Sequence, residues 1–340
     1  MNDIRVRQVV LASRPHGKVQ LSDFRLEEVV LPGPSPGELL LKTNYLSLDP
    51  YMRGRMDDRK SYAEATALGS VMPGESVTTV IESRNPNYSE GDVVTCFTGW
   101  STHAISDGTK LRKVNSNGAP ITTALGVLGM PGFTAYSGLK AIGRPAKGET
   151  VVVAAASGPV GSLVGQLAKI AGARAVGIAG GPEKCAYITN EFRFDEAVDH
   201  RAADFESQLA KECPDGIDVY FENVGGAILQ AVLPMLNQFA RVPVCGLIAQ
   251  YDRAAPPGAI DLAGAMRIII SKRLTLRGFI NYDFADELYG EFQSEIAFGL
   301  AEGRIRYRED IVDGLENAPK ALIDMLDGRN FGKALVRIER

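Results

Sequence analysis

Histidine and cysteine are scarce in this chain. Its 340 residues include three histidines, His16, His103 and His200, and four cysteines, Cys96, Cys185, Cys213 and Cys245. Neither set is spaced as a ligand cluster and no C-x-x-C occurs, so no bound metal is expected. Cysteines so widely separated also argue against a disulfide framework. Long apolar runs are missing too. Runs such as 151–156 and 268–270 are far shorter than the roughly 20 residues a membrane-spanning helix needs. Residues 1–14 carry charge early and no apolar stretch of signal-peptide length, so the expected compartment is the cytoplasm. There is no basic block, and the formal net charge is −4. Nucleic acid and anionic membrane surfaces are therefore not expected partners; a small-molecule substrate is. What is present suits a large core: 45% of residues are hydrophobic and 23% charged, over a length that suggests two domains.

Patterning divides the chain. Residues 5–11, 24–30, 38–46, 76–83 and 92–97 are strand-like runs separated by Pro and Gly, and they predict a sandwich or barrel. Leu48-Asp-Pro-Tyr-Met-Arg53 reads as a loop. From 121 to about 143 the pattern is helical, interrupted by Met130-Pro-Gly132. Strands at 149–156, 175–179, 196–199, 217–222, 241–247 and 274–280 then alternate with helices at 160–171, 183–191, 204–212 and 225–235. The first of these strands is apolar on both faces, as in a covered parallel sheet. Such alternation builds βαβ units with helices on both faces. A helix over 287–303 follows, then strands 307–312 and 333–338 flanking a helix over 318–326. The expected fold class is α/β, a doubly wound parallel sheet over 128–303 with a β-rich domain from 1–127 and 304–340.

Strand 150–155 runs into Ala156-Ser157-Gly158-Pro159-Val160-Gly161 and a helix. This is G-x-G-x-x-G with Ala156 in the first glycine place. Gly158 lets the backbone approach a pyrophosphate, Gly161 lets the helix pack on the strand, and the helix N-terminus offers N–H groups to the anion. Alone the motif is weak; within a run of βα units it marks a dinucleotide site. NADH sites place an acid at the end of the next strand for the ribose hydroxyls. Here that place reads Ala179-Gly180-Gly181-Pro182-Glu183-Lys184. No acid closes the strand and Lys184 can pair with a 2′-phosphate, so NADPH is the expected cofactor. The plainer reading of Lys184 is a solvated helix residue. Asn223 in Phe221-Glu-Asn-Val-Gly-Gly226 and the segment Cys245-Gly246-Leu-Ile248-Ala-Gln-Tyr251 end further strands, where such a sheet carries its ligand. Asn223 could equally cap the next helix, and Cys245 reads as a small buried hydrophobe.

Leu48-Asp-Pro-Tyr51-Met-Arg53-Gly-Arg-Met56, Met130-Pro-Gly-Phe-Thr134-Ala-Tyr136, residues 155–161, 179–184, 222–226 and 246–251, Leu276-Arg-Gly-Phe279 and Asn330-Phe-Gly-Lys333 together span nearly the whole chain. They resemble the medium-chain dehydrogenase/reductase superfamily, and within it the zinc-independent leukotriene/prostaglandin and curcumin-type alkenal and enone reductases. The resemblance implies a Rossmann domain beside a GroES-like barrel, a homodimer, NADPH, and reduction of a carbon–carbon double bond conjugated to a carbonyl. It implies cofactor contacts from Thr134, Ser157, Gly158, Pro159, Val160, Gly161, Gly180, Gly181, Lys184, Asn223, Cys245, Gly246, Ile248, Tyr251, Phe279, Ile280, Asn281 and Asn330. The chain also departs from the pattern. Pro73-Gly74-Glu75 lacks the histidine of the zinc-dependent branch. His200 stands where the family has a phosphate-contacting tyrosine, and as a partial cation it can still serve a phosphate. Ser271 stands where several members carry a tyrosine often given a catalytic role, which leaves the acid unidentified.

An enone reductase delivers hydride to the β-carbon and must stabilise the enolate oxygen, so a donor aimed at that oxygen matters most. A proton then reaches the α-carbon from a side chain or water. A tyrosine hydroxyl, protonated at pH 7, suits the donor role. The candidates are Tyr251, Tyr62 and Tyr51; each could instead be an aromatic wall. Arg53 binds substrate or a phosphate, or merely pairs with an acid, and His103 reads as structural. Two rival readings stay open: an NADPH-dependent quinone reductase on the same scaffold, and a catalytically silent NADPH-binding redox sensor that Ser271 keeps alive.

Overall fold

The computed structural model describes residues 3–58, 60–114, 118–251 and 262–338. The chain begins with an antiparallel pair, β1 (Ile4–Leu11) and β2 (Phe24–Leu31). Next come β3 (Leu39–Ser47), a short helix α1 (Tyr51–Arg55), β4 (Ser76–Ser83), β5 (Val93–Cys96), β6 (His103–Ser106) and β7 (Arg112–Lys113). The Asp-Pro-Tyr-Met-Arg segment is thus not a loop. Pro50 lies just before the first turn, where its missing N–H has no partner to lose, and Met52 and Met56 bury fully in the core.

The middle of the chain is built of α2 (Met130–Gly138), β8 (Thr150–Ala154), α3 (Pro159–Ile170), β9 (Arg174–Ala179), α4 (Pro182–Asn190), β10 (Glu196–Asp199), α5 (Phe205–Glu212), β11 (Ile217–Phe221), α6 (Gly226–Val232), β12 (Leu236–Val244), α7 (Leu262–Lys272), β13 (Thr275–Gly278) and α8 (Ala285–Ala301). Met130-Pro-Gly132 opens α2 rather than interrupting a helix, again because proline is harmless in a first turn. β12 starts five residues before the expected 241: its first part, Leu236-Asn-Gln-Phe-Ala240, is partly exposed and bends at Phe239, whose φ is 64°. The helix α7 was not expected at all: Ala265 and Ile268 pack against a core, but Leu262, Met266 and Ile270 are exposed, so no single apolar stripe marks it. The six strands form a parallel sheet in the order β10-β9-β8-β11-β12-β13. Alternate residues of β8 feed two different cores: Val151 and Val153 pack in one cluster, Val152 and Ala154 in the other. That is why the strand shows no polar alternation.

The chain then returns with β14 (Glu309–Asp313), α9 (Ala318–Leu326) and β15 (Lys333–Arg337). These join the first strands in a sheet ordered β14-β15-β3-β4-β5-β7, with β6 on β3. β15 runs parallel to β14 and antiparallel to β3. The core beneath packs Leu46, Met52, Met56 and Leu322 around Trp100, which stacks on Phe24 at 5.5 Å. The chain divides into two compact units, residues 1–125 with 309–340, and residues 126–308.

Candidate functional site

In the second unit, β8 leads into a turn whose geometry admits few sequences. Ala155 adopts a φ of 53°, left-handed for a residue with a Cβ. Its carbonyl lies under α3, and a Cβ on Gly161 would sit 2.4 Å from that oxygen, so glycine alone fits there. Gly158 caps α3 in an extended conformation and accepts the Ser162 N–H at 3.0 Å. The first-turn amides and the positive end of the helix dipole are thereby offered to an anion.

Neighbouring strands add charge. After β9, a Cβ on Gly180 would lie 2.8 Å from Arg201 Nε and 3.0 Å from His200 Nε2, so these two side chains lean over the glycine. Asp199 does not face the ligand as a free acid. Its Oδ1 accepts the Gly181 and Arg201 amides at 2.8 and 2.9 Å. Burial opposes the charge of Asp199, but these bonds outweigh it and hold the carboxyl below its usual range. Lys184 lies in the first turn of α4. Desolvation and the adjacent Arg201 charge hold His200 below its ordinary value. A phosphate dianion between His200, Arg201 and Lys184 would reverse that balance. The Gly180–Gly181 turn, with three basic residues about it and the strand-end Asp199 carboxylate engaged by main-chain amides, fits a 2′-phosphate better than bare ribose hydroxyls.

A third cluster lies at the ends of β11 and β12. Glu222 is buried, and its carboxylate accepts the Val224 and Gly225 amides and the Tyr220 hydroxyl. Its main-chain oxygen accepts the Cys245 and Gly246 amides at 2.9 and 3.2 Å. Burial raises its pKa despite the amide bonds. Asn223 reaches back, donating through Nδ2 to the Ala154 carbonyl at 2.8 Å, and its own carbonyl accepts Ile248 N–H. Residues 222–224 thus tie together the ends of β8, β11 and β12. Burial, with the charge of Glu222, pushes the Cys245 thiol up to about 12. The Tyr251 hydroxyl lies 3.5 Å from where a side chain on Gly246 would begin. Thr134 turns its hydroxyl onto the Met130 carbonyl at 2.8 Å, and Asn281 donates to that carbonyl at 3.4 Å. Phe279 buries its ring against Phe221 and Phe284, which leaves its main chain and that of Ile280 for any ligand contact.

The remaining expected residues belong to the first unit. Arg53 is fully buried, paired with Asp57 at 3.0 Å and donating to the Gly17 carbonyl at 2.9 Å. This corrects the expectation that it binds substrate; here it is the acid-paired alternative. Tyr51 and Tyr62 both lie against Arg55, which sequence reasoning did not single out. Asn330 donates to the Gly332 carbonyl at 2.9 Å. Nearby, Lys333 is buried and donates to the Leu48 carbonyl and to Asp49, both at 2.7 Å. His103 bonds Thr102 within the sheet.

Residues 7–114 match a family described as the N-terminal domain of oxidoreductase, and residues 159–298 one described as zinc-binding dehydrogenase. The chain is 51% identical over 336 residues to the NADPH-dependent curcumin reductase of Escherichia coli, covering 98% of this chain and 97% of that protein. It is 40% identical over 344 residues to the NADP-dependent 2-alkenal reductase of Nicotiana tabacum, covering 99% of each. The crystal structure of CurA from Vibrio vulnificus in complex with NADPH superposes with a TM-score of 0.95 at 50% identity, covering 98% of this chain and 99% of that one. The chain belongs to the curcumin and prostaglandin reductase family of medium-chain dehydrogenases/reductases.

Among the described residues no group of three or more His, Cys, Asp or Glu is placed to hold a metal. Glu75, the acid of Pro73-Gly74-Glu75, is instead buried within the influence of Arg112, Asp49 and Lys333, and burial pushes it up to about 7. Ser271, the position at which the resemblance implied a tyrosine in several members, is exposed in the last turn of α7 and donates to the Ile268 carbonyl at 3.1 Å. Among the basic residues, Arg201 was overlooked in the sequence. Its signal was available: it follows His200 directly at the carboxyl end of a strand.

Proposed function

We propose that this chain catalyses the NADPH-dependent reduction of the carbon–carbon double bond of α,β-unsaturated ketones or aldehydes, without a metal. The observation that carries the reading is the Tyr251 hydroxyl over Gly246, at the carboxyl edge of the same sheet whose β8–α3 and β9–α4 turns fit a dinucleotide. The printed activities of the curcumin and alkenal reductases support the substrate class.

NADPH, when bound, supplies the hydride that the β-carbon receives. The protein's own residues do the rest. The turn at 156–161 and the α3 N-terminus would hold the pyrophosphate. Lys184, His200 and Arg201 would hold the 2′-phosphate, and Asn223 with residues 245–248 would hold the nicotinamide end. As negative charge grows on the substrate's carbonyl oxygen, Tyr251 donates a hydrogen bond to it. The α-carbon then takes a proton from water or a side chain.

The test follows NADPH oxidation with an enone, an aliphatic alkenal and a quinone, beside NADH controls. Enone turnover with NADPH and little with NADH is expected. Tyr251→Phe is expected to lower kcat by roughly 100-fold, the usual scale for losing one oxyanion donor. Turnover of the quinone alone would make the chain a quinone reductase. Tight NADPH binding with no turnover of any substrate would make it a silent sensor.

In the same reading the enzyme is a cytoplasmic homodimer. β13 is the edge strand of the parallel sheet, and all four of its residues are exposed. Beside it in sequence, α7 exposes Leu262, Met266 and Ile270, spaced four residues apart on one face. An open edge next to an apolar helix face suits pairing with a second copy across a two-fold axis. Sedimentation should show a dimer for the wild-type protein and a monomer for Ile270→Glu; a monomeric wild type would remove the proposal.

A further inference from the structure

We infer that His200 ties the binding of NADPH to the uptake of a proton, so that the preference for a 2′-phosphorylated cofactor strengthens as pH falls. This rests on the cofactor reading above and adds a pH dependence to it. His200 follows β10 directly, and its main-chain N–H donates to the Ala179 carbonyl at 3.0 Å, which fixes the residue against the end of β9. Its Nε2 lies 3.0 Å from the place a Cβ on Gly180 would take, and Arg201 Nε lies 2.8 Å from the same place. Both side chains therefore stand over the turn that leads into α4. Among the described residues neither has a side-chain partner in a hydrogen bond or ion pair.

Imidazole is the side chain that ordinarily changes charge near neutral pH, and His200 is the only histidine in residues 126–308. The groups that face it hold their charge there. Beside it, Asp199 accepts the Gly181 and Arg201 amides, which keep its carboxyl below the usual range. Arg201 stays a cation. From α4, Lys184 adds positive charge to the surroundings of His200, and burial pushes the Cys185 thiol up to about 11. His200 is exposed overall, yet its neighbours shield the ring enough to disfavour the charged form, and the charge of Arg201 adds to this; Asp199 offsets the two only in part. The ring is therefore neutral at pH 7 while the subsite is open. A 2′-phosphate brings up to two negative charges into the cluster and reverses the sum. The ring then takes a proton and becomes a charge-assisted donor to the phosphate. A ligand that raises a group's proton affinity binds more tightly as pH falls from the bound-state pKa to the free-state one, which here lies below 6.5. Each unit between the two values is a factor of about ten in affinity. NADH lacks the phosphate, so its affinity does not follow the ring.

The test is calorimetric titration of the full chain with NADPH and with NADH, from about pH 8.5 to about pH 6. It needs no turnover. The quantity read is the Kd for NADH divided by that for NADPH, in which every contact the two cofactors share cancels. His200→Gln keeps an N–H donor but cannot titrate. Dividing the wild-type ratio by that of the variant at each pH removes the phosphate's own ionisation near pH 6. The quotient should rise by about tenfold over the range, the effect of one pKa unit. At pH 7, in buffers of different ionisation heat, NADPH should bind the wild-type protein with more proton uptake than it binds His200→Gln. A proton resonance of the His200 ring, assigned by its loss in the variant, should titrate at higher pH with NADPH than without. A preference for NADPH with a quotient that is flat in pH overturns the inference and leaves the cofactor reading standing. A resonance whose titration NADPH does not move overturns it equally. No preference for NADPH at any pH would overturn the cofactor reading and this inference together.

Discussion

Among the described residues, six charged side chains are buried in the β-rich unit, Asp23, Asp49, Arg53, Asp57, Glu75 and Lys333, whereas the dinucleotide unit buries one, Glu222. Even that one is satisfied largely by main-chain amides. The dinucleotide unit shapes its site with backbone: a left-handed alanine, glycines where a carbonyl comes close, and a helix end. The β-rich unit pins its loops with paired side chains taken out of water. Removing one member of such a pair leaves an uncompensated charge, while altering a backbone-built site changes its shape.

The largest effect should come from the β-rich unit. Lys333→Met strands Asp49, and breaking a buried pair in this way costs about 3–5 kcal/mol. The double variant Lys333→Met with Asp49→Asn should recover much of that in urea unfolding. A single variant as stable as wild type would mean that the pair is not buried in solution. In the other unit, Gly161→Val forces a Cβ onto the Ala155 carbonyl. It should weaken NADPH binding by on the order of 100-fold, about 2.7 kcal/mol, read by fluorescence titration. Binding within a few-fold of wild type would show that the turn relaxes, which erases the distinction between the units.

The smallest effect is a pH dependence. Burial raises Glu75 from 4.5 to about 7. Between those values the folded protein holds a proton that the unfolded chain has released, so stability falls as pH rises through the window. Glu75→Gln should flatten that fall, which is roughly 2 kcal/mol once its neighbouring charges and residual solvent are allowed for. Urea midpoints measured below pH 4.5 and above pH 7 give the slope directly. Equal slopes for the two proteins would place Glu75 in water.

The same contrast explains what could be read in advance. The alternation from β8 to β13, the turn at 156–161 and the Gly180–Lys184 segment were legible because each is a local main-chain demand written in adjacent residues. Met130-Pro-Gly132 was misjudged because a proline that breaks a helix also suits its first turn. The pattern missed α7 because its apolar residues are divided between a buried side and an exposed one, and the start of β12 because Phe239 bends out of it. The buried pairs gave no signal: Asp49 and Lys333 are 284 residues apart, and nothing near either names the other. Arg53 and Arg55 looked alike in sequence. Only burial separates the arginine that braces the fold from the one that lies half-buried against two tyrosine rings.

The placement of β15 between β14 and β3 sets an order on manufacture. The dinucleotide unit is one continuous stretch, 126–308, and can close as soon as it has left the ribosome. The β-rich sheet cannot. Until residues 333–337 emerge, β3 lacks the neighbour that Leu46 and Ser47 pair with, and Asp49 lacks its counter-charge. A nascent chain stalled short of that point therefore pairs a finished nucleotide-binding unit with a sheet still open at β3, and that open strand is where chaperones would be needed.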